Sequence, residues 1–166
     1  MKNIVLTGFM GTGKSEVARE LSRLCGMRLI DIDQEIEKTQ GISIAEIFSR
    51  HGEEYFRIIE TAAILQFASE QGVVISSGGG AVLREENLKA LQAHGIIFCL
   101  TASPETIRLR TAGNNNRPLL QCDDRQVRIS ELLKERQPFY ERAGIMINTE
   151  GKTPLEVANE IIGKIS

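Results

Sequence analysis

The stretch Gly8-Phe9-Met10-Gly11-Thr12-Gly13-Lys14-Ser15 fits Gly-x-x-x-x-Gly-Lys-Ser/Thr without a mismatch. Glycines let the backbone turn its N–H groups inward around an anion. A helix starting at the end of the loop adds unpaired N–H groups and a positive dipole end, and Lys14 adds a full charge. Ser15 offers a hydroxyl to Mg²⁺. The chemistry is the holding of a nucleoside triphosphate by its phosphates. A glycine-rich turn that binds nothing would not need Lys-Ser at these two positions. A metal on those phosphates also wants an acid. The apolar run Val73-Val74-Ile75 ends in Ser76-Ser77 and supplies none, which turns attention to Asp31-Ile32-Asp33. Residues two apart in extended chain point to one side, so both carboxylates are expected to face one crevice. Mg²⁺ near Asp31, and a hydroxyl donor or cation near Asp33, would relieve the repulsion between them. The plainer alternative is that the pair only caps the helix that follows.

Four further groups carry cations or bare backbone: Phe56-Arg57 with Glu60 one turn on, Gly78-Gly79-Gly80, Arg117-Pro118-Leu119-Leu120, and Glu135-Arg136-Gln137-Pro138-Phe139-Tyr140. Three glycines straight after a strand expose N–H groups and clear side chains from the space above the sheet, which suits a small polar ligand. Taken singly, each arginine reads as a surface residue. The Asn-Lys-x-Asp motif that reads guanine does not occur in the chain, which points to adenine.

These residues need a scaffold, and the apolar patterning supplies one. Short runs at Ile4–Thr7, Arg28–Asp31, Val73–Ser76, Ile96–Thr101 and Ile145–Asn148 read as strands, with helical periodicity between them. That alternation predicts a parallel sheet, and runs that are apolar at consecutive positions predict helices on both faces. The loop then bridges the first strand and a helix carrying Val17, Leu21 and Leu24. Ser103-Pro104 marks a helix start, and Thr153-Pro154-Leu155-Glu156 marks another with the glutamate of a capping box. Leu155, Ala158, Ile161, Ile162 and Ile165 form the apolar stripe of the last helix. Two regions exceed a plain layer. Residues 42–69 carry extra helical material that reads as an inserted lobe, and residues 111–124 are rich in turn formers and read as a mobile loop.

At 166 residues the chain is the size of one domain, and its net charge of -2 argues against a broad nucleic-acid surface. Cys25, Cys99 and Cys122 lack Cys-x-x-Cys spacing and read as free thiols, while His51 and His94 are isolated and read as exposed residues near helix ends, not zinc ligands. No run approaches membrane-spanning length and no signal peptide is seen, so a cytoplasmic protein is expected.

Taken together, these motifs resemble the shikimate kinase family, and the match runs nearly the whole chain in order. The family joins a Gly-x-x-Gly-x-Gly-Lys-Ser/Thr loop to Asp-x-Asp, Phe-Arg-x-x-Glu, Gly-Gly-Gly and an Arg-Pro-Leu-Leu lid. The resemblance implies a three-layer α/β/α fold of the P-loop NTPase type with a five-stranded parallel sheet. It implies one kinase domain over residues 1–166, with a helical substrate-binding insertion at about 33–60 and a mobile lid at about 111–124. It further implies transfer of the γ-phosphate of ATP to the 3-hydroxyl of shikimate. By the same resemblance, Gly11, Thr12, Gly13 and Lys14 hold phosphates, Ser15 and Asp31 hold one Mg²⁺ per subunit, and Asp33 contacts the accepting hydroxyl. Arg57 and Arg136 bind the carboxylate, with Glu60, Gly78, Gly79 and Gly80 around the ring. Arg117 reaches across from the lid, and Arg110, Lys152 and Pro154 border the adenine. A monomer acting on ATP and shikimate alone is expected, with no nucleic-acid or membrane partner. The Asn114-Asn115-Asn116 run departs mildly from the family pattern. The rival readings are a gluconate or nucleoside monophosphate kinase on the same scaffold, and a non-catalytic ATP-binding module.

Overall fold

The computed structural model describes residues 1–113, 118–120 and 124–166. Five strands, β1 (Asn3–Gly8), β2 (Arg28–Asp31), β3 (Val73–Ser76), β4 (Gly95–Thr101) and β5 (Ile145–Asn148), form one sheet in the order β2-β3-β1-β4-β5, with every pair parallel. All five match the runs read from the sequence. Among the described residues seven α-helices accompany them: α1 (Lys14–Cys25), α2 (Ile32–Gln40), α3 (Ile44–Ala68), α4 (Glu85–His94), α5 (Pro104–Thr111), α6 (Arg125–Ala143) and α7 (Pro154–Ile165).

The central strands β1, β3 and β4 are buried along most of their length because alternate side chains enter two separate cores. Ile4, Leu6, Val74, Phe98 and Leu100 pack with Val17, Ala18 and Leu21 of α1 and Val157, Ala158 and Ile161 of α7. Val5, Val73, Ile75, Ile97 and Cys99 pack on the opposite face with α3, α4 and α6. Each fully buried aliphatic chain contributes about 1.5–3 kcal/mol, so these two layers, not the propensities of four-residue strands, hold the sheet. Buried Asn3 fixes its start: the side-chain amide donates to Glu70 O at 2.7 Å, and its Oδ1 accepts from Val73 N at 3.1 Å.

Three expectations are corrected in detail. The stripe of α7 turns on Val157, while Leu155 and Ile165 are exposed, and on α1 Leu24 is exposed where Ala18 is buried. A stripe read at i, i+3, i+4 admits two neighbouring settings of the helix, and contact with the sheet picks one. Residues 111–124 are not uniformly loop: Thr111 ends α5, Asp124 caps α6, and Leu120 is buried in the core. Residues 114–117 and 121–123, with Arg117, Cys122 and the asparagine run, lie outside the described residues. The extra helical material is α2 and α3, the latter interrupted at Gly52 (φ 84, ψ 171). Cys25 and Cys99 are free, His51 and His94 are exposed, and no described helix is long and apolar enough to cross a membrane.

Candidate active site

In the order β2-β3-β1-β4-β5 the chain leaves β1 toward one side of the sheet and leaves β3 toward the other. The crevice between β1 and β3 is the place where open parallel sheets bind ligands. The glycine-rich loop rises from β1 into α1. Gly13, the N-cap of α1, has φ 88 and provides no side-chain cap, so the first amides of the helix stay available to an anion. Thr12 is buried and braces the loop, its hydroxyl donating to Phe9 O at 2.7 Å. Lys14 Nζ reaches back to Gly8 O (2.8 Å) and Phe9 O (2.9 Å), which holds the ammonium over the loop.

Above this loop lies a cavity of about 510 Å³ lined by Gly11, Thr12, Gly13, Lys14, Ser15, Asp31, Asp33, Gly78, Arg110, Lys152 and Pro154, among others. Arg110 Nη1 donates to Gly11 O (3.2 Å) and Thr149 Oγ1 (3.3 Å), tying α5 to the loop, and Lys152 pairs with Glu160 at 2.7 Å. Beside it is a cavity of about 120 Å³ lined by Met10, Lys14, Asp33, Ile44, Phe48, Phe56, Arg57, Glu60, Gly78, Gly79, Gly80, Leu119 and Arg136. Lys14, Asp33 and Gly78 belong to both. Every residue given a binding, catalytic or metal role in the sequence lines one cavity or the other, save Arg117, which lies outside the described residues.

The two aspartates converge by a route other than the extended chain expected. Asp31 ends β2 beside Ser76 of β3 and caps α2, accepting from Gln34 N at 3.2 Å; Asp33 stands in the first turn of that helix. Asp31 therefore caps and lines the cavity at once, while Asp33 is no cap. Its Oδ1 is shut away from solvent with no hydrogen-bond partner among the described residues. Burial first, then the nearby charges of Glu60 and Asp31, push the Asp33 carboxyl up to about 7 against the pull of Lys14 and Arg57. A carboxyl poised there can take a proton at neutral pH.

The smaller cavity is built on buried charge. Arg57 is 9% exposed and Arg136 5%, so neither is the surface residue that composition suggested. Arg57 donates to Glu60 at 2.8 Å and to Glu53 at 3.3 Å. Burial alone would weaken the Arg57 charge, and Glu60 with Glu53 more than restores it. Burial pushes the Glu60 carboxyl up, with Arg57 and Arg136 in partial opposition, and its Oε2 has no partner among the described residues. Room for these groups comes from the glycines. A Cβ on Gly80 would meet the Arg57 guanidinium; one on Gly79 would come within 2.8 Å of Gly8 O, and one on Gly78 within 3.1 Å of Glu60 Oε2 and 3.7 Å of Asp33 Oδ1. Phe48 and Phe56, with ring centroids 4.9 Å apart, lie along the apolar side with Met10, Ile44 and Leu119. This apolar side was not foreseen, since in sequence its members are indistinguishable from core. Tyr140 was also missed as a functional residue, although it lies four residues from Arg136 and so on the same helix face.

A family model for shikimate kinase matches residues 10–166. The shikimate kinase of Thermodesulfovibrio yellowstonii is 50% identical over 162 residues, covering 98% of this chain and 94% of that protein. The structure of a shikimate kinase from Acinetobacter baumannii in complex with shikimate superposes with a TM-score of 0.97 at 36% identity, covering 99% of this chain and 93% of that one. A shikimate kinase structure from Aquifex aeolicus superposes with a TM-score of 0.84 at 34% identity, over 98% and 95% of the two chains. With a phosphate loop facing a polar pocket across one shared wall, and likeness along nearly its full length, the chain belongs to the shikimate kinase family.

Proposed function

We infer that this enzyme transfers the γ-phosphoryl group of ATP to the 3-hydroxyl of shikimate, giving shikimate 3-phosphate and ADP on the route to chorismate and the aromatic amino acids. The observation that carries the reading is the wall common to the two cavities. A nucleotide phosphate on the loop side and an acceptor on the other meet at Lys14, Asp33 and Gly78. Phosphoryl transfer asks little covalent chemistry of a protein; alignment and neutralisation of the phosphate oxygens supply most of the rate. Loop amides from Gly11 to Ser15 and the Lys14 ammonium hold the phosphates. Asp33 Oδ1, buried and unpartnered, accepts the proton of the attacking hydroxyl. Arg57 and Arg136 take the acceptor's carboxylate, while Glu60 and the amides of Gly78, Gly79 and Gly80 face its ring hydroxyls. Shikimate, with one carboxylate and three hydroxyls, matches this set group for group.

A metal fits the larger cavity. Ser15 and Asp31 offer only oxygen, and no group of three or more His, Cys, Asp or Glu side chains able to cage an ion occurs among the described residues. That is the donor set of Mg²⁺, which prefers one or two protein ligands with phosphate and water oxygens completing the shell. When bound it would neutralise phosphate charge. Arg110, Lys152 and Pro154 border the base, and lack of a guanine-reading motif favours adenine. Residues 33–60 form the acceptor-binding insertion and 111–124 the lid, with Arg117 neutralising the phosphoryl group in transfer. Leu119 at the edge of the smaller cavity supports that placing of the lid. The unit is a cytoplasmic monomer.

A coupled ADP-release assay with Mg-ATP against shikimate, gluconate and AMP tests the reading. Turnover with shikimate alone is expected. Turnover only with AMP or gluconate would replace the acceptor, and none with any of the three would leave a nucleotide-binding module.

A further inference from the structure

Arg57 and Arg136 reach the same small cavity, but they are held there in different ways. Arg57 is fixed by two carboxylates of its own helix, Glu53 and Glu60. Arg136 is as deeply buried, yet among the described residues no carboxylate lies within ion-pairing distance of it. A guanidinium kept out of water and feeling Glu60 only at a distance, with no carboxylate bonded to it among the described residues, must be oriented by something else. Two groups do this. Its Cζ lies 5.8 Å from the centroid of the Phe9 ring, and the phenol of Tyr140, one turn on in α6, meets it over Gly79.

Tyr140 is 3% exposed, and no residue role assigned above uses its hydroxyl. That hydroxyl donates to Gly79 O at 2.7 Å. The position a Gly79 Cβ would take lies 3.1 Å from Tyr140 Oη, 3.3 Å from Arg136 Nη1 and 2.8 Å from Gly8 O, so the phenol, the guanidinium and the end of β1 converge on one glycine. The helix beneath is fixed to the sheet: Cys99 Sγ of β4 donates to Tyr140 O at 3.2 Å, and Gly144 lets the end of α6 lie directly on Ile97. The phenol thus stands on a rigid base and joins the glycine turn to Arg136.

We propose that Tyr140 is a positioning residue for the acceptor: its hydroxyl, spent as donor on Gly79 O, faces Arg136 with acceptor lone pairs and aims that guanidinium at the incoming carboxylate. The phenol does this without a negative charge. An aspartate or glutamate in its place would hold Arg136 more strongly but would compete with the ligand, whereas a neutral oxygen orients the fork and leaves the charge for the substrate.

The inference rests on the reading of Arg136 as a carboxylate ligand, so the test separates the two. Arg136→Lys alone tests the ligand: an unchanged KM for shikimate removes that reading. Tyr140→Phe keeps the ring and removes the hydroxyl. It should raise KM for shikimate about tenfold, the worth of one hydrogen bond to a charged group, and leave KM for ATP and kcat within about twofold. With shikimate methyl ester, which lacks the charge, the two proteins should differ by less than about twofold. Adding Tyr140→Phe to Arg136→Lys should cost little more than Arg136→Lys alone, because the aim is already lost. A merely structural tyrosine would lower the melting temperature and shift both substrates together. Equal shifts for ATP and shikimate, an equal loss with the ester, or full additivity with Arg136→Lys would each overturn the proposal. If Tyr140→Phe does not melt cooperatively, Tyr140→His, which keeps a ring and a polar atom, carries the same acid-against-ester comparison with the same outcomes.

Discussion

The two walls of the active site solve opposite problems. On the proposed nucleotide side the binding groups are backbone amides, displayed by one short contiguous loop whose glycines Gly8, Gly11 and Gly13 all have positive φ, Gly13 with open space where its Cβ would be. On the proposed acceptor side the binding groups are buried side chains from α2, α3 and α6, and the glycines are there for room. Gly78, Gly79 and Gly80 have no positive φ, and each leaves a place that a neighbouring charged or polar group fills. A backbone wall recognises what all phosphates share, whereas a side-chain wall made of fixed charges can recognise one carboxylate and its ring. If that division holds, changes on one wall should leave the substrate of the other nearly untouched.

The largest effect is expected where the walls meet. Asp33→Asn keeps the shape of the side chain and removes its capacity to accept a proton, so kcat should fall by about 10²- to 10⁴-fold with ATP affinity preserved in titration calorimetry. Loss of ATP affinity with turnover of bound substrates retained would transfer Asp33 to the nucleotide wall. Next is Lys14→Met. The ammonium is a full positive charge held over the Gly8 and Phe9 carbonyls, and its removal should weaken ATP binding by about 10²-fold or more while the protein melts normally. Unchanged ATP binding would mean that the amides alone carry the nucleotide side.

On the acceptor wall Arg57→Lys keeps the charge but breaks the fork that now reaches Glu60 and Glu53. KM for shikimate should rise about tenfold or more, with KM for ATP within about twofold. The comparison breaks if steady-state kinetics show the larger change in ATP.

That same contrast explains how much could be read from the sequence. The nucleotide wall was legible because its eight residues are consecutive and its chemistry depends on spacing along the chain. The three central strands were legible because each is buried on both faces, as double coverage by helices demands, and the edge strands β2 and β5 as short apolar runs. From residue types alone the acceptor wall was legible only as separate motifs; the family resemblance is what put Arg57 and Arg136 on one carboxylate with Glu60 and the three glycines around it. Nothing in the order of residues says that Arg57 and Arg136, far apart in the chain, are buried around one glycine turn. Asp33 lines the crevice beside Asp31 by a route the sequence did not suggest, since the strand stops at Asp31 and a helical turn, not an extended one, carries it there. Tyr140 was invisible as a functional residue because a buried tyrosine on an amphipathic helix looks like packing until its hydroxyl is seen on Gly79 O.

The smallest expected effects come from adding one methyl group to each acceptor glycine, and their order follows from what each methyl would strike. On Gly79 it would press on Gly8 O, a backbone atom at the end of the strand that launches the phosphate loop, and backbone there cannot move alone. Gly79→Ala should therefore raise KM for both substrates and lower the melting temperature. On Gly80 the methyl would meet only the tip of Arg57, which can swing aside at the cost of its aim and its contact with Glu60. KM for shikimate alone should rise, by about tenfold at most, since one charged hydrogen bond is at stake. On Gly78 the nearest atoms are Glu60 Oε2 at 3.1 Å and Asp33 Oδ1 at 3.7 Å, so a shift of a few tenths of an ångström accommodates the methyl. Gly78→Ala should change KM for either substrate by no more than about threefold, the cost of crowding without a broken contact. Kinetics and melting curves on the three alanine variants would check the order. An effect of Gly80→Ala on ATP as large as that of Gly79→Ala would mean that the two walls are mechanically one.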